Sequence, residues 1–196
     1  TDDALRVRRE KLDRGRRHMS EDFATKWADQ RSIERIRDVV LSDCVPALEY
    51  AQAELQGNVQ KIWWSDGAFA AVKGDGSVVT WGDGASGGDS SAVREELQGD
   101  VLQIYSTDQA FAAMKGNGAV VTWGDAAWGG DSSAVQEELQ ADVLQIYSTN
   151  GAFAAVKGDG SVVTWGDRRG GGDSSAVRKK LQGDVLQIYS TTRAFA

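Results

Sequence analysis

Cysteine and histidine are almost missing from this chain: 196 residues hold one of each, Cys44 and His18. One cysteine excludes an internal disulfide framework and a cysteine-based zinc cluster. It also fits a reducing compartment, so an intracellular location (cytosol, nucleus or organelle interior) is favoured over secretion. His18 lies in a basic, polar stretch, where an exposed side chain explains it better than catalysis. Cys44, beside Val45-Pro46, reads as a small buried apolar group, and no second residue completes a Cys–His pair. There is no run of about 18 apolar residues, so no helical membrane span is expected. The first residues lack a secretory-signal pattern. Thr1 is not a methionine, so the chain is expected to begin after processing or partway along a longer polypeptide.

Positive charge is also short, and unevenly placed. Residues 1–46 hold eleven Lys/Arg against ten Asp/Glu, and residues 47–196 hold eleven against nineteen. Most of the early basic charge falls in Leu5–His18. Nucleic-acid binding through bulk electrostatics is therefore not expected of the acidic part, and stays open for a basic arm carrying Arg6, Arg8, Arg9, Arg16 and Arg17.

What the chain has in abundance is repetition. GDGSVVTWGD begins at Gly74 and again at Gly158, with GNGAVVTWGD at Gly116 between them, each 42 residues from the next. Phe69, Phe111 and Phe153 keep the same spacing, as do Trp81, Trp123 and Trp165. Aligning 67–108 with 151–192 leaves six differences and 36 identities. A fixed period of this size marks a solenoid, propeller or array.

Each unit predicts two short strands, AFAAVK and SVVTWG, joined by Asp75-Gly76 as a type I′ turn with φ > 0 at both residues. A glycine-rich loop follows, then a short helix in DSSAVREEL capped by Asp89, Ser90 or Ser91, with Ala92, Val93 and Leu97 inward. DVLQIYST is the third strand, with Val101, Gln103 and Tyr105 on one face and Leu102 and Ile104 on the other. So small a unit cannot bury its own apolar face, and its neighbours must. Trp81, Trp123, Trp165, Phe69, Phe111 and Phe153 are thus the expected core between units.

The expected fold is mainly β: tandem three-stranded units forming a partial or open β-propeller-like array, with an α-helical N-terminal extension. The expected divisions are a basic arm over 1–19, a helical extension or cap over 20–50, and about three and a half repeats over 51–196, ending in mid-repeat. Within the extension, one helix is expected over 20–45 and a second over 47–56.

VLQIYSTDQAFAAMKGNGAVVTWGD resembles the repeat of the regulator of chromosome condensation family, with Val101, Ile104, Ala113, Gly118, Val120, Trp123 and Gly124 on its pattern. The chain departs from it in a shorter unit and in Ala110-Phe111 where the family has His-Thr. The GGDSSAV continuation looks like a variant of that repeat. The resemblance implies a propeller that binds proteins. Family relatives include a small-GTPase exchange factor and ubiquitin ligases.

The copies also differ where nothing need pack. Gly84-Ala85-Ser86 becomes Ala126-Ala127-Trp128 and then Arg168-Arg169-Gly170; Arg94-Glu95-Glu96 becomes Gln136-Glu137-Glu138 and then Arg178-Lys179-Lys180. Such positions face solvent or a partner. Candidate partner-binding residues are therefore Trp128, as an aromatic anchor, and Arg168, Arg169, Arg178, Lys179 and Lys180, as a basic surface for an acidic partner.

No acid, base or nucleophile has a positioned partner, so no enzyme activity, cofactor, metal or small-molecule substrate is inferred. Asp83 and Asp89 invite a calcium reading, but their spacing matches no calcium loop. Gly87-Gly88 suggests an anion nest, with Asp89 placed to repel the anion. Three functions remain in play: a protein-interaction scaffold, a structural subunit of a large assembly (an organellar one included), and the regulatory propeller of an exchange factor or ubiquitin ligase.

Overall fold

The computed structural model describes residues 59–196. The basic arm, the helical extension and the second helix expected over 47–56 lie outside the described residues. The chain divides into two units, Thr1–Tyr50 and Ala51–Ala196, and the described residues all belong to the second.

Three antiparallel sheets succeed one another along the chain. The first joins β1 (Val59–Trp64), β2 (Ala68–Lys73) and β3 (Val78–Gly82). The second joins β4 (Val101–Ser106), β5 (Ala110–Lys115) and β6 (Val120–Gly124), and the third β7 (Val143–Ser148), β8 (Ala152–Lys157) and β9 (Val162–Gly166). After them, Ser190 and Phe195 form an isolated antiparallel bridge. The fold is mainly β, with tandem sheets arranged as in a partial propeller.

The phase of the unit differs from the one the sequence suggests. VLQIYS is not the third strand of the hairpin before it but the first strand of the sheet after it. Connection length explains this. Only Thr107–Gln109 separates β4 from β5, which forces an antiparallel neighbour, whereas residues 83–100 separate β4 from β3.

The hairpin also differs from the type I′ expectation. Gly76 has φ 79°, while Asp75 is not among the residues of positive φ. Lys73 N–H donates to the Ser77 carbonyl at 2.8 Å and Gly76 N–H to the Lys73 carbonyl at 2.9 Å, a three-residue loop closed by a left-handed glycine. The cause is the aspartate side chain. Its Oδ1 accepts from the Ser77 N–H at 2.9 Å and from the Ser77 hydroxyl at 2.6 Å, bending the chain locally without a positive φ at Asp75.

A bulge between Val101 and Gln103 corrects the expected alternation in β4. The extra residue is Leu102, left 58% exposed, while Val101 and Ile104 are both buried. The same shift recurs in β1 and β7. The helix expected in DSSAVREEL is a 3₁₀ turn, Ser91–Val93. Asp89 accepts from the Ser91 N–H at 2.9 Å. Leu97 is buried and Val93 packs against the core, but Ala92 is exposed, because the tighter winding turns it away.

The middle strand of the second sheet is covered on both faces, which is why the run AFAAM before Lys115 is apolar throughout. Ala110, Ala112 and Met114 meet the third sheet, against Ile146, Phe153 and Trp165. Phe111 and Ala113 face the first sheet, together with Ile104 and Trp123, against Ala68, Ala70 and Val72. Each sheet thus offers large rings backward and small side chains forward, and the difference in size lets the layers interdigitate. Phe111 and Trp123 are cross-strand partners stacked with ring centroids 5.3 Å apart. Phe69–Trp81 and Phe153–Trp165 repeat the stack at 5.3 and 5.2 Å.

The glycine loop completes this contact. Trp123 Nε1 donates to the Gly87 carbonyl at 3.0 Å, and Trp165 Nε1 to the Gly129 carbonyl at 3.1 Å. Each of these tryptophans is therefore fastened to the loop of the sheet before it. Phe111 lies directly over Gly87, Phe153 over Gly129 and Phe195 over Gly171.

Candidate partner-binding surface

Two loops of every sheet meet at one end of the strands: the β1–β2 connection with its equivalents, and the loop leaving the third strand. A buried hydroxyl ties them together. Ser65 donates to the Ser86 carbonyl at 2.9 Å, Thr107 to the Trp128 carbonyl at 2.9 Å, and Thr149 to the Gly170 carbonyl at 2.8 Å. An aspartate shapes the second loop each time. Asp83 accepts from the Ser86 N–H at 3.0 Å, Asp125 from the Ala127 N–H at 2.8 Å and Asp167 from the Arg169 N–H at 3.2 Å.

The connections are also bonded to one another across the stack. Asp66 N–H donates to the Asp108 carbonyl at 2.7 Å, Asp108 N–H to the Asn150 carbonyl at 2.8 Å, and Asn150 N–H to the Thr192 carbonyl at 3.0 Å. This backbone ladder places one side chain per unit in a row. The row borders an open groove of about 400 Å³ lined by Trp64, Asp66, Ser106, Asp108, Ser148, Asn150 and other hydroxyl residues of these turns.

The row is a third variable cluster, beyond the two that the sequence singles out: Asp66, Asp108, Asn150 and Thr192 stand at equivalent positions. Position 108 against 192 is one of the six differences between the aligned copies. Its signal in the sequence is a single mismatch inside an otherwise constant strand–turn phrase, so the eye passes over it.

The predicted partner-binding residues separate into two places. Trp128, Arg168 and Arg169 belong to the loop end. Arg168 and Arg169 are exposed, and Arg168 pairs with Asp173 at 2.8 Å. Trp128 is half-buried, packed against the core between the second and third sheets, with ring atoms near Gly151. Arg178, Lys179 and Lys180 are exposed but lie towards the opposite end: the Leu181 carbonyl, next to them, accepts from Val162 N–H at the start of β9. The arginines of the arm lie outside the described residues. Of the predicted core, Trp81, Trp123 and Trp165 are buried, Phe111 and Phe153 are fully buried, and Phe69 is partly buried.

The other polar candidates are taken up locally. Asp83 is committed to Ser86, and Asp89 to the Ser91 N–H. The Gly87 carbonyl holds an indole and the Gly88 N–H donates to the Asp83 carbonyl at 2.8 Å, which removes the anion nest. Among the described residues no three metal-ligating side chains converge, and no helix is long and apolar enough to cross a membrane.

Electrostatics set the row apart. Burial, then the nearby Asp66 charge, push the Asp108 carboxyl above the usual range, against a hydrogen bond from Asn150. Most shifted carboxyls move the other way. The Ser77 and Ser161 hydroxyls, with their N–H groups, hold Asp75 and Asp159 low, and the Ser91 and Ser133 N–H groups do so for Asp89 and Asp131. These last groups stabilise the fold above the ordinary carboxylate range, and that stability is lost as pH falls through their lowered values. Asp108 has the opposite sign: its ionisation opposes folding as pH rises through its raised value. Asp108→Asn, the side chain already present at position 150, is therefore expected to raise the melting temperature at pH 7. The gain should shrink towards about pH 4 and vanish near pH 3, where the acid is protonated in both states. Thermal melts across this range test it, and a gain unchanged at pH 3 would rule out ionisation as its source.

No protein-family model matches this chain, and no curated protein matches it. Solved structures do match. Human WBSCR16 is 20% identical, covering 56% of this chain and 33% of that one, at a TM-score of 0.39. Yeast RCC1 (Prp20), solved with Kap60, is 16% identical, covering 64% of this chain and 36% of that one, at a TM-score of 0.42. The ectodomain of the Physcomitrella patens receptor kinase CR4 is 16% identical, covering 55% and 29%, at a TM-score of 0.37. The chain spans about a third of the length of these proteins.

Proposed function

We propose that residues 59–196 form a protein-interaction module that acts by binding, with the loop end as its partner-facing surface. One observation carries the reading: a constant framework presents exchanged side chains. The hydroxyl tie, the capping aspartate and the cross-sheet ladder recur at 42-residue intervals, yet the residues they hold out change from Gly84-Ala85 to Ala126-Ala127 to Arg168-Arg169, and from Asp66 to Asp108 to Asn150 to Thr192. Packing demands sameness, so variation on a fixed mount supports selection by something outside the chain.

A photo-reactive amino acid placed singly at Ala127 or Arg169 tests this in cells. Discrete protein adducts are expected there, and not from Gln98, which is exposed towards the other end of the strands. Replacing Arg168-Arg169-Gly170 by the first copy's Gly-Ala-Ser should abolish or change the Ala127 adduct. Equal labelling from Gln98, or no adduct at the loop end, would overturn the reading.

A further inference from the structure

Among the described tryptophans, Trp64 stands out. Trp81, Trp123 and Trp165 are buried, Trp63 and Trp128 are partly covered, but Trp64 is 47% exposed and lines the polar groove. The equivalent residues of the later copies are Ser106, Ser148 and Ser190, so the indole is not required by the framework. Among the described residues, the two charged ones lining the groove, Asp66 and Asp108, are both acids. They are close enough for Asp66 to make ionisation of Asp108 harder, and no cation among the described lining residues offsets them.

We propose that this groove seats a cationic side chain of a basic peptide, with Trp64 as the aromatic platform and Asp66 and Asp108 as the anionic wall. The proposal rests on the loop end being a binding face, and it names the chemistry of the partner there. An indole face attracts a guanidinium or ammonium group, and charge-assisted hydrogen bonds from it to carboxylates are strong. The ladder engages the N–H groups of Asp66 and Asp108 internally, so side chains do the recognising. A guanidinium would also relieve the repulsion between the two acids. A neutral sugar, which also stacks on indoles, would leave that repulsion in place, and this favours the cation.

Fluorescence anisotropy with labelled octa-arginine, octa-glutamate and the uncharged tetra-N-acetylchitotetraose, added to the full 196-residue chain, tests the proposal. The variants take side chains that other copies already carry: Trp64→Ser, and Asp66→Asn with Asp108→Asn. Octa-arginine is expected to bind and octa-glutamate not to. The double aspartate variant should weaken binding by about tenfold or more, as for lost charged hydrogen bonds, and Trp64→Ser by about threefold. Glu137→Gln with Glu138→Gln removes the same charge elsewhere and should change little. Equal weakening by that control, unchanged binding in the groove variants, binding of the sugar alone, or no binding of octa-arginine would each overturn the proposal, circular dichroism confirming that all variants are folded. Adducts at Ala127 that persist while octa-arginine fails would sink this inference and leave the interaction module standing.

Discussion

Gly129→Ala is expected to destabilise the stack by about 3 kcal/mol, more than most single substitutions, although it adds one methyl group. Two costs fall on the same atom. Gly129 has φ 97°, a conformation alanine adopts only with strain. The new Cβ would also stand 2.7 Å from Phe153 Cδ2 and 2.8 Å from Cε2, well inside van der Waals contact. Phe153 has nowhere to go, being fully buried and stacked on Trp165. Any shift of the loop also moves the Gly129 carbonyl from the Trp165 N–H. Gly84→Ala supplies the contrast in the same family of loops: φ is unexceptional, the nearest atom is 3.5 Å away, and the second copy already has Ala126 there. Urea unfolding should separate the two by several-fold in midpoint shift. Similar shifts would mean that the phenylalanine does not lean on the glycine.

The features legible in the sequence are those that repeat without change. Trp81, Trp123 and Trp165 recur inside an identical phrase, and only a shared packing duty keeps a large ring so constant; the mainly β, tandem character follows from the same spacing. What escapes is whatever depends on how units join. The phase of the sheet stays hidden because a cyclic pattern reads equally well from any starting residue, and only the contrast between three connecting residues and eighteen decides it. Strict alternation misplaces Leu102 because it assumes no bulge, and a bulge has no residue signature here. Asp75-Gly76 suggests a two-residue turn as long as the aspartate's bond to Ser77 is not weighed against its tolerance of positive φ. Gly87 suggests an anion nest, since nothing local announces that its carbonyl serves an indole 36 residues later. The variable row at Asp66, Asp108, Asn150 and Thr192 shows only one residue per copy, and becomes a surface once the ladder aligns it.

Trp123→Phe and Trp123→Ala together measure what fastens one sheet to the next. The alanine variant removes a buried ring and its stack on Phe111, and is expected to cost about 4 kcal/mol. The phenylalanine variant keeps an aromatic face but takes the indole donor away from the buried Gly87 carbonyl, at an expected cost of about 2 kcal/mol. Because the bond crosses from one unit to another, its loss weakens coupling between sheets more than either sheet itself. In a linear array, coupling is what makes distant units unfold together. The first sheet should then open before the third in Trp123→Phe, seen by hydrogen exchange as faster exchange at Ala70 and Ala71 than at Ala154 and Ala155, whereas the parent protein protects both strands alike. Trp165→Phe moves the weak joint one unit along and should leave the first and second sheets exchanging as one body. If both variants instead speed exchange uniformly, the indole contributes stability without acting as a joint, and the units are held by the interdigitation of rings with alanines alone.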